Sequence, residues 1–130
     1  MKKMRGASAY AKVGVESQVL SASPHQLITL LFAKAESSIK AATLHIQVGN
    51  IAEKGEAISK AISIVQGGLQ AALDLETGGE VAENLYRLYD FVLRLLMEAN
   101  REGDIAKLEK ASELLEMVAS SWRAVGTGGN

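Results

Sequence analysis

The sequence predicts an all-α protein: an antiparallel up-down-up-down four-helix bundle with an N-terminal arm or short helix. Three observations carry this prediction. Apolar residues recur at steps of three and four along four successive stretches, each of about 20 residues, which is the spacing of one buried helix face. The connectors between them, at Gly49-Asn50, Asp74 to Gly79 and Glu102 to Asp104, are short. Short loops cannot return the chain to its starting end, so consecutive helices must lie antiparallel. Finally, no stretch alternates with the period of two that a half-buried strand requires.

The first helix is announced by Ser23-Pro24-His25-Gln26. Ser23 suits the N-cap, its hydroxyl accepting from the Gln26 N–H while the Gln26 amide reaches back to the N–H of Ser23, a reciprocal capping box. Pro24, the only proline, then falls at the first helical position, where its missing N–H costs nothing. The helix is expected from Pro24 to about Gln47, with Ile28, Leu31, Ala35, Ile39, Ala42 and Ile46 as its buried face. Gly49 ends it, and Asn50 is available to cap the next.

Helix two is expected over Ile51 to Leu73, with one stripe of Ile58, Ile62, Val65, Leu69 and Leu73 and a second of Ala57, Ala61, Ile64, Gly68 and Ala71. Gly67-Gly68 lies within it, where each glycine costs about 1 kcal/mol relative to alanine. Close packing by a neighbouring helix explains such a pair, as does a groove kept shallow for a partner's backbone. Helix three should run from Glu80 to Asn100 with Val81, Leu85, Leu88, Val92, Leu95 and Ala99 inward. Tyr86, Tyr89, Phe91, Leu93, Leu96 and Met97 extend its apolar character around most of the circumference. Helix four, capped by Asp104, places Ile105, Leu108, Ala111, Leu115, Val118 and Trp122 on one face. The expected organisation is an arm over residues 1–20, a bundle over 21–125 and a disordered tail over 126–130. Tyr10 is the expected anchor of the arm.

Composition narrows the class of function. A formal charge of −1 gives no global field toward nucleic acid or an anionic membrane, and the Lys2, Lys3, Arg5 cluster reads as a solvated terminus. The absence of cysteine excludes disulfides, thiol nucleophiles and thiolate metal sites. No window approaches the ~18 apolar residues of a membrane span, and the N-terminus lacks the apolar core of a signal peptide, so a cytoplasmic protein without membrane insertion is expected.

Nor does any catalytic constellation emerge. His25 and His45 lie on one helix, roughly 30 Å apart at 1.5 Å per residue, and cannot share a metal. They read as surface or capping residues. No Glu-x-x-His pair supports a di-iron bundle, and no glycine-rich phosphate loop follows a strand. No enzyme activity, metal or cofactor is expected. What remains is surplus apolar surface, since helix three exceeds the roughly 3/7 apolar positions that a core-facing helix needs. Such surface makes grooves for an amphipathic helix or a face for self-association, and the pattern alone leaves both open.

Ala9-Tyr10, Val19-Leu20-Ser21-Ala22-Ser23-Pro24-His25-Gln26-Leu27 and Leu31-Phe32 resemble the opening of the FliS family, flagellar export chaperones that bind flagellin. The likeness continues through Gly55, Ile58-Ser59-Lys60-Ala61-Ile62-Ser63-Ile64-Val65, Leu73-Asp74 and Gly78-Gly79-Glu80-Val81-Ala82. It then takes in Asn84-Leu85, Leu88-Tyr89, Glu98-Ala99-Asn100, Asp104, Leu114-Leu115 and Trp122. Two places depart from the family pattern: Ala33-Lys34, where an acidic residue and a glycine are usual, and Leu95-Leu96, where arginine and leucine are frequent. Lys34 is tolerable at that spacing if it faces solvent.

The resemblance implies a cytosolic chaperone that binds the disordered C-terminal region of flagellin in hydrophobic grooves. It would prevent premature polymerisation and assist delivery to the flagellar type III export apparatus, with the export gate as a further partner and a homodimer when client-free. Client contacts expected in this setting are Tyr10, in the matching Ala-Tyr position, with Ile58, Ile62, Leu69, Tyr86, Leu93 and Met97 as exposed apolar positions of helices two and three. Core packing is the competing role for each of the helical six. The alternatives are a self-associating helical-bundle interaction protein with a different client and a metal or cofactor bundle enzyme.

Overall fold

The computed structural model describes residues 22–128, so Tyr10 and the expected arm lie outside the described residues. Four helical elements follow in order. They are α1 (Pro24–Val48), α2 (Ile51–Ile64) running on through a π-helical turn (Val65–Gln70), α3 (Gly79–Glu102) and α4 (Ile105–Gly128). Helix α1 packs against α2 and α4, and α3 packs against the same two, which closes an antiparallel four-helix bundle. No strand occurs among the described residues.

Local chemistry fixes the ends. Ser23 Oγ accepts from the Gln26 N–H at 3.1 Å and the Ser23 N–H donates to Gln26 Oε1 at 2.8 Å, so the capping box forms as expected. Gly49 and Gly103 adopt left-handed φ of 80° and 66° and end α1 and α3. Asp104 Oδ1 accepts from the Ala106 N–H at 2.9 Å. Asn50 departs from expectation: it sits at the N-cap of α2, but its side chain makes no capping bond. In the longest connector, Asp74 Oδ1 accepts the N–H groups of Glu76 and Thr77, both at 3.1 Å, forming a side-chain-closed turn. These bonds, that of the Thr77 hydroxyl foremost, hold the Asp74 carboxyl below the usual carboxylate range.

The expected stripes converge on one core. Phe32, Ile39, Ile58, Val65, Leu69, Val92, Leu96, Leu108 and Leu115 are essentially inaccessible, each contributing about 1.5–3 kcal/mol by burial. Ala35, Ala42, Ala61, Ala99, Ala111 and Ala119 fill the space between them and let the helices approach closely. Leu95 and Leu96 are both buried, and Lys34 is exposed, as its spacing requires. Val81 is a correction: expected inward, it is 69 % exposed, because it lies in the first turn of α3 at the open end of the bundle.

Two features modify the sequence reading. The first is the π turn, in which the Ala71 N–H reaches back five residues to Gln66 O at 3.2 Å. One extra residue in the turn rotates everything after it back by about 100°. Leu69 stays on the inward arc, and it is Gln70 that the rotation moves, bringing it into line with Ile62 instead of the exposed Gln66. The second is His25, which is more than a surface or capping residue. Its ring stacks on Trp122 with centroids 4.5 Å apart and planes within 8°. His25 Nε2–H donates to Trp122 O at 2.7 Å, and Trp122 Nε1–H donates to His25 O at 3.1 Å. Gly126 lies so close under the ring that any Cβ there would collide with it. This lock joins the start of α1 to the end of α4, and α4 stays helical beyond it to Gly128.

Candidate functional site

At 100° per residue, Tyr86, Leu93 and Met97 share one edge of α3. That edge faces α2, as three hydrogen bonds show. Gln70 Nε2–H donates to Tyr86 O at 3.2 Å and to Asp90 Oδ1 at 2.8 Å, and Lys54 Nζ donates to Asn100 O at 2.7 Å. On α2, Gly55 faces Asn100, its notional Cβ 4.0 Å from Asn100 Oδ1, and Ile62 lies two turns further along the same edge. Ile62, Tyr86, Leu93 and Met97 therefore lie along the α2–α3 seam, and Ile58 and Leu69 belong to the core beneath it.

Within the seam their depths differ. Ile58, Leu69 and Leu93 are corrections: expected as exposed positions, they are core residues, at 0 %, 2 % and 5 % exposure, because they fall on the inward arcs of their helices, and they form the floor. Ile62 is partly buried and packs on that floor. Tyr86 and Met97 stand at the surface, 38 % and 53 % exposed. The seam is thus a strip of accessible apolar surface above a dry core, bounded by the polar ties of Lys54 near one end and Gln70 near the other. Its chemistry is hydrophobic docking with a few directional groups, which suits an amphipathic helix.

Sequence reasoning missed other exposed apolar side chains. Leu44, Val48 and Ile51 surround the α1–α2 connection, Phe91 lies on the α4-facing edge of α3, and Met117 and Val125 lie on α4. Their chemical type was visible, but period alone does not tell an outward apolar arc from an inward one. A cavity of about 250 Å³ opens beside the α1–α2 connection, lined by His45, Ile51, Lys54 and Arg101 among others.

The α1–α4 seam has a different character. A groove of about 530 Å³ there is lined by Glu36, Ser37, Lys40, Thr43, Glu109 and Ser112 over Ile39 and Leu108. Burial, and then the neighbouring Glu116, push the Glu36 carboxyl up to about 7, whereas Arg123, paired with Glu116 at 2.8 Å, pulls Glu116 below the ordinary carboxylate range. A proton held in this pair therefore sits on Glu36. Among the described residues, no group of three or more His, Cys, Asp or Glu side chains is arranged to hold a metal ion. No helix among the described residues is long and apolar enough to cross a membrane.

Comparison with known proteins agrees with this geometry. Residues 6–128 match the family model described as flagellar protein FliS. The flagellar secretion chaperone FliS of Salmonella typhimurium is 48 % identical over 120 residues, covering 92 % of this chain and 89 % of the relative. The Escherichia coli protein of the same name is 40 % identical over 119 residues, covering 92 % and 88 %. The flagellar secretion chaperone FliSB of Pseudomonas aeruginosa is 42 % identical over 122 residues, covering 94 % and 96 %. With this agreement along nearly its whole length, the chain belongs to the FliS family of flagellar secretion chaperones.

Proposed function

We propose that this protein is a cytosolic export chaperone, without catalytic activity, that binds the disordered C-terminal region of flagellin in its apolar grooves. Binding there prevents premature polymerisation and assists delivery to the flagellar type III export apparatus, with the export gate as a further partner. The observation that carries this reading is the α2–α3 seam, where Tyr86 and Met97 remain accessible beside a completed core. A client helix presenting apolar residues at i, i+3, i+4 and i+7 would cover them. Ile62 would flank the contact, with Ile58, Leu69 and Leu93 supporting it from beneath. Tyr10 is proposed as a further contact from the N-terminal segment, and its replacement should reduce client affinity more than stability.

Folding a disordered tail on the seam consumes part of the gross interaction energy in ordering, which keeps the complex releasable. In the absence of client, the same exposed apolar strip would favour a homodimer. Titration calorimetry with a peptide of the last ~40 flagellin residues, with circular dichroism of the mixture, tests the proposal. The expected result is a 1:1 complex, a negative heat-capacity change and gained helicity. Absence of binding at tens of micromolar would assign the groove to a different client or to self-association.

A further inference from the structure

The π turn and the residue it delivers to the seam form a device that the docking surface alone does not require. Gln70 is buried, yet both acceptors of its amide, Tyr86 O and Asp90 Oδ1, belong to α3. One of them is the main-chain oxygen of the exposed Tyr86, so Gln70 ties the last turn of α2 to the edge proposed to receive the client. Within that turn, a Cβ at Gly67 would meet nothing within 4 Å, so packing gives no reason for glycine there. Gly68 differs, because its notional Cβ already lies 3.0 Å from Leu31 Cδ1. The segment therefore combines a widened hydrogen-bond ladder, a glycine that nothing touches, and a polar tie just beyond it. Glycine confers backbone freedom, and π turns are weak points in a helical ladder.

We propose that Val65–Gln70 is a hinge and Gln70 its latch, together setting the width of the α2–α3 groove. The client helix is admitted when the Gln70 amide releases Tyr86 and Asp90 and the end of α2 swings on Gly67. Asp90 is exposed and the Tyr86 carbonyl remains within the α3 ladder, so release leaves neither acceptor buried and unpaired, and the Gln70 amide, buried while latched, meets water as the end of α2 swings out. This inference rests on the seam being the client site.

Two variants of the full chain test it in opposite directions. Gln70→Met keeps side-chain length and removes the donor, which unlatches the hinge. Deleting Gly67 takes out the extra residue of the π turn, which restores α-helical bonding, leaves Leu69 and Gln70 facing as they do now, and stiffens the hinge. The readouts are amide hydrogen exchange over residues 65–72 without client, and the association rate with the flagellin C-terminal peptide. Relative to wild type, Gln70→Met should exchange about tenfold faster in that segment alone, and the deletion about tenfold slower. Association should accelerate severalfold in the first variant and slow about tenfold in the second. If the deletion prevents folding, Gly67→Ala, which stiffens the turn without changing register, must slow exchange and association in its place. Association rates that are unchanged, or that shift in the same direction in both variants, overturn the proposal. Should wild type bind no flagellin peptide, the client reading fails by itself. Exchange then decides the hinge, and equal rates over 65–72 in all forms would overturn it.

Discussion

The two seams described above use opposite means of holding helices together. Where α1 begins and α4 ends, closure is reciprocal and specific: a stacked pair of rings, two hydrogen bonds crossing between the same two residues, and a glycine on which the ring rests. Between α2 and α3, the core is complete beneath an exposed apolar strip, and the polar ties lie toward the ends of that strip. The first seam behaves as permanent scaffold, whereas the second presents surface. On the reading proposed above, stability and recognition are assigned to different helix pairs.

The largest expected effect breaks the scaffold side. Trp122→Ala removes the stack and its hydrogen bond and should cost about 3 kcal/mol of stability in urea unfolding. Client affinity of the fraction that stays folded should be unchanged. Next, on the recognition side, the double replacement of Tyr86 and Met97 by alanine should weaken the flagellin peptide by about 2 kcal/mol, or roughly thirtyfold. Stability should stay within about 0.5 kcal/mol, since both side chains are exposed. If each variant lowered stability and affinity together, the division of labour would not hold.

The α1–α4 seam also carries a pH signature. Glu36 binds its proton more tightly folded, at about 7, than unfolded, at 4.5. The unfolded chain therefore releases that proton first as pH rises, and stability attributable to this group falls between those two values. Glu36→Gln should raise stability by about 1 kcal/mol at pH 8 after solvent screening, and leave it unchanged at pH 4. A thermal-melt series across pH on both forms checks the sign. The smallest effect is at Lys107, whose ammonium pairs with Glu98 at 2.8 Å and Glu102 at 3.1 Å between α3 and α4. Lys107→Ala should lower the melting temperature only slightly, and less at high salt.

Legibility in the sequence follows how local each cause is. The Ser23-Gln26 capping box and the glycine termini at Gly49 and Gly103 depend on neighbours within a few residues, and their structures follow the pattern directly. The inward stripes follow the helical period, and the bundle follows from them and the short loops. The π turn is not legible in the same way. Glycines mark a weak point, but whether the ladder widens there depends on Leu31 and α3, which are distant in sequence. The same holds for the site. At 100° per residue Tyr86, Leu93 and Met97 share one edge of α3, yet only the position of α2 makes Leu93 floor and Met97 surface. His25 reads as a surface or capping residue from sequence because its partner lies 97 residues away.

The most direct test of the division between the seams is amide hydrogen exchange of the wild-type chain with and without the flagellin C-terminal peptide. The account predicts new protection concentrated in Ile58–Gln70 and Tyr86–Met97, with the start of α1 and the segment around Trp122 as slow in the free protein as in the complex. Protection centred on His25, Glu36 and Trp122, with the α2–α3 segments unchanged, would contradict it.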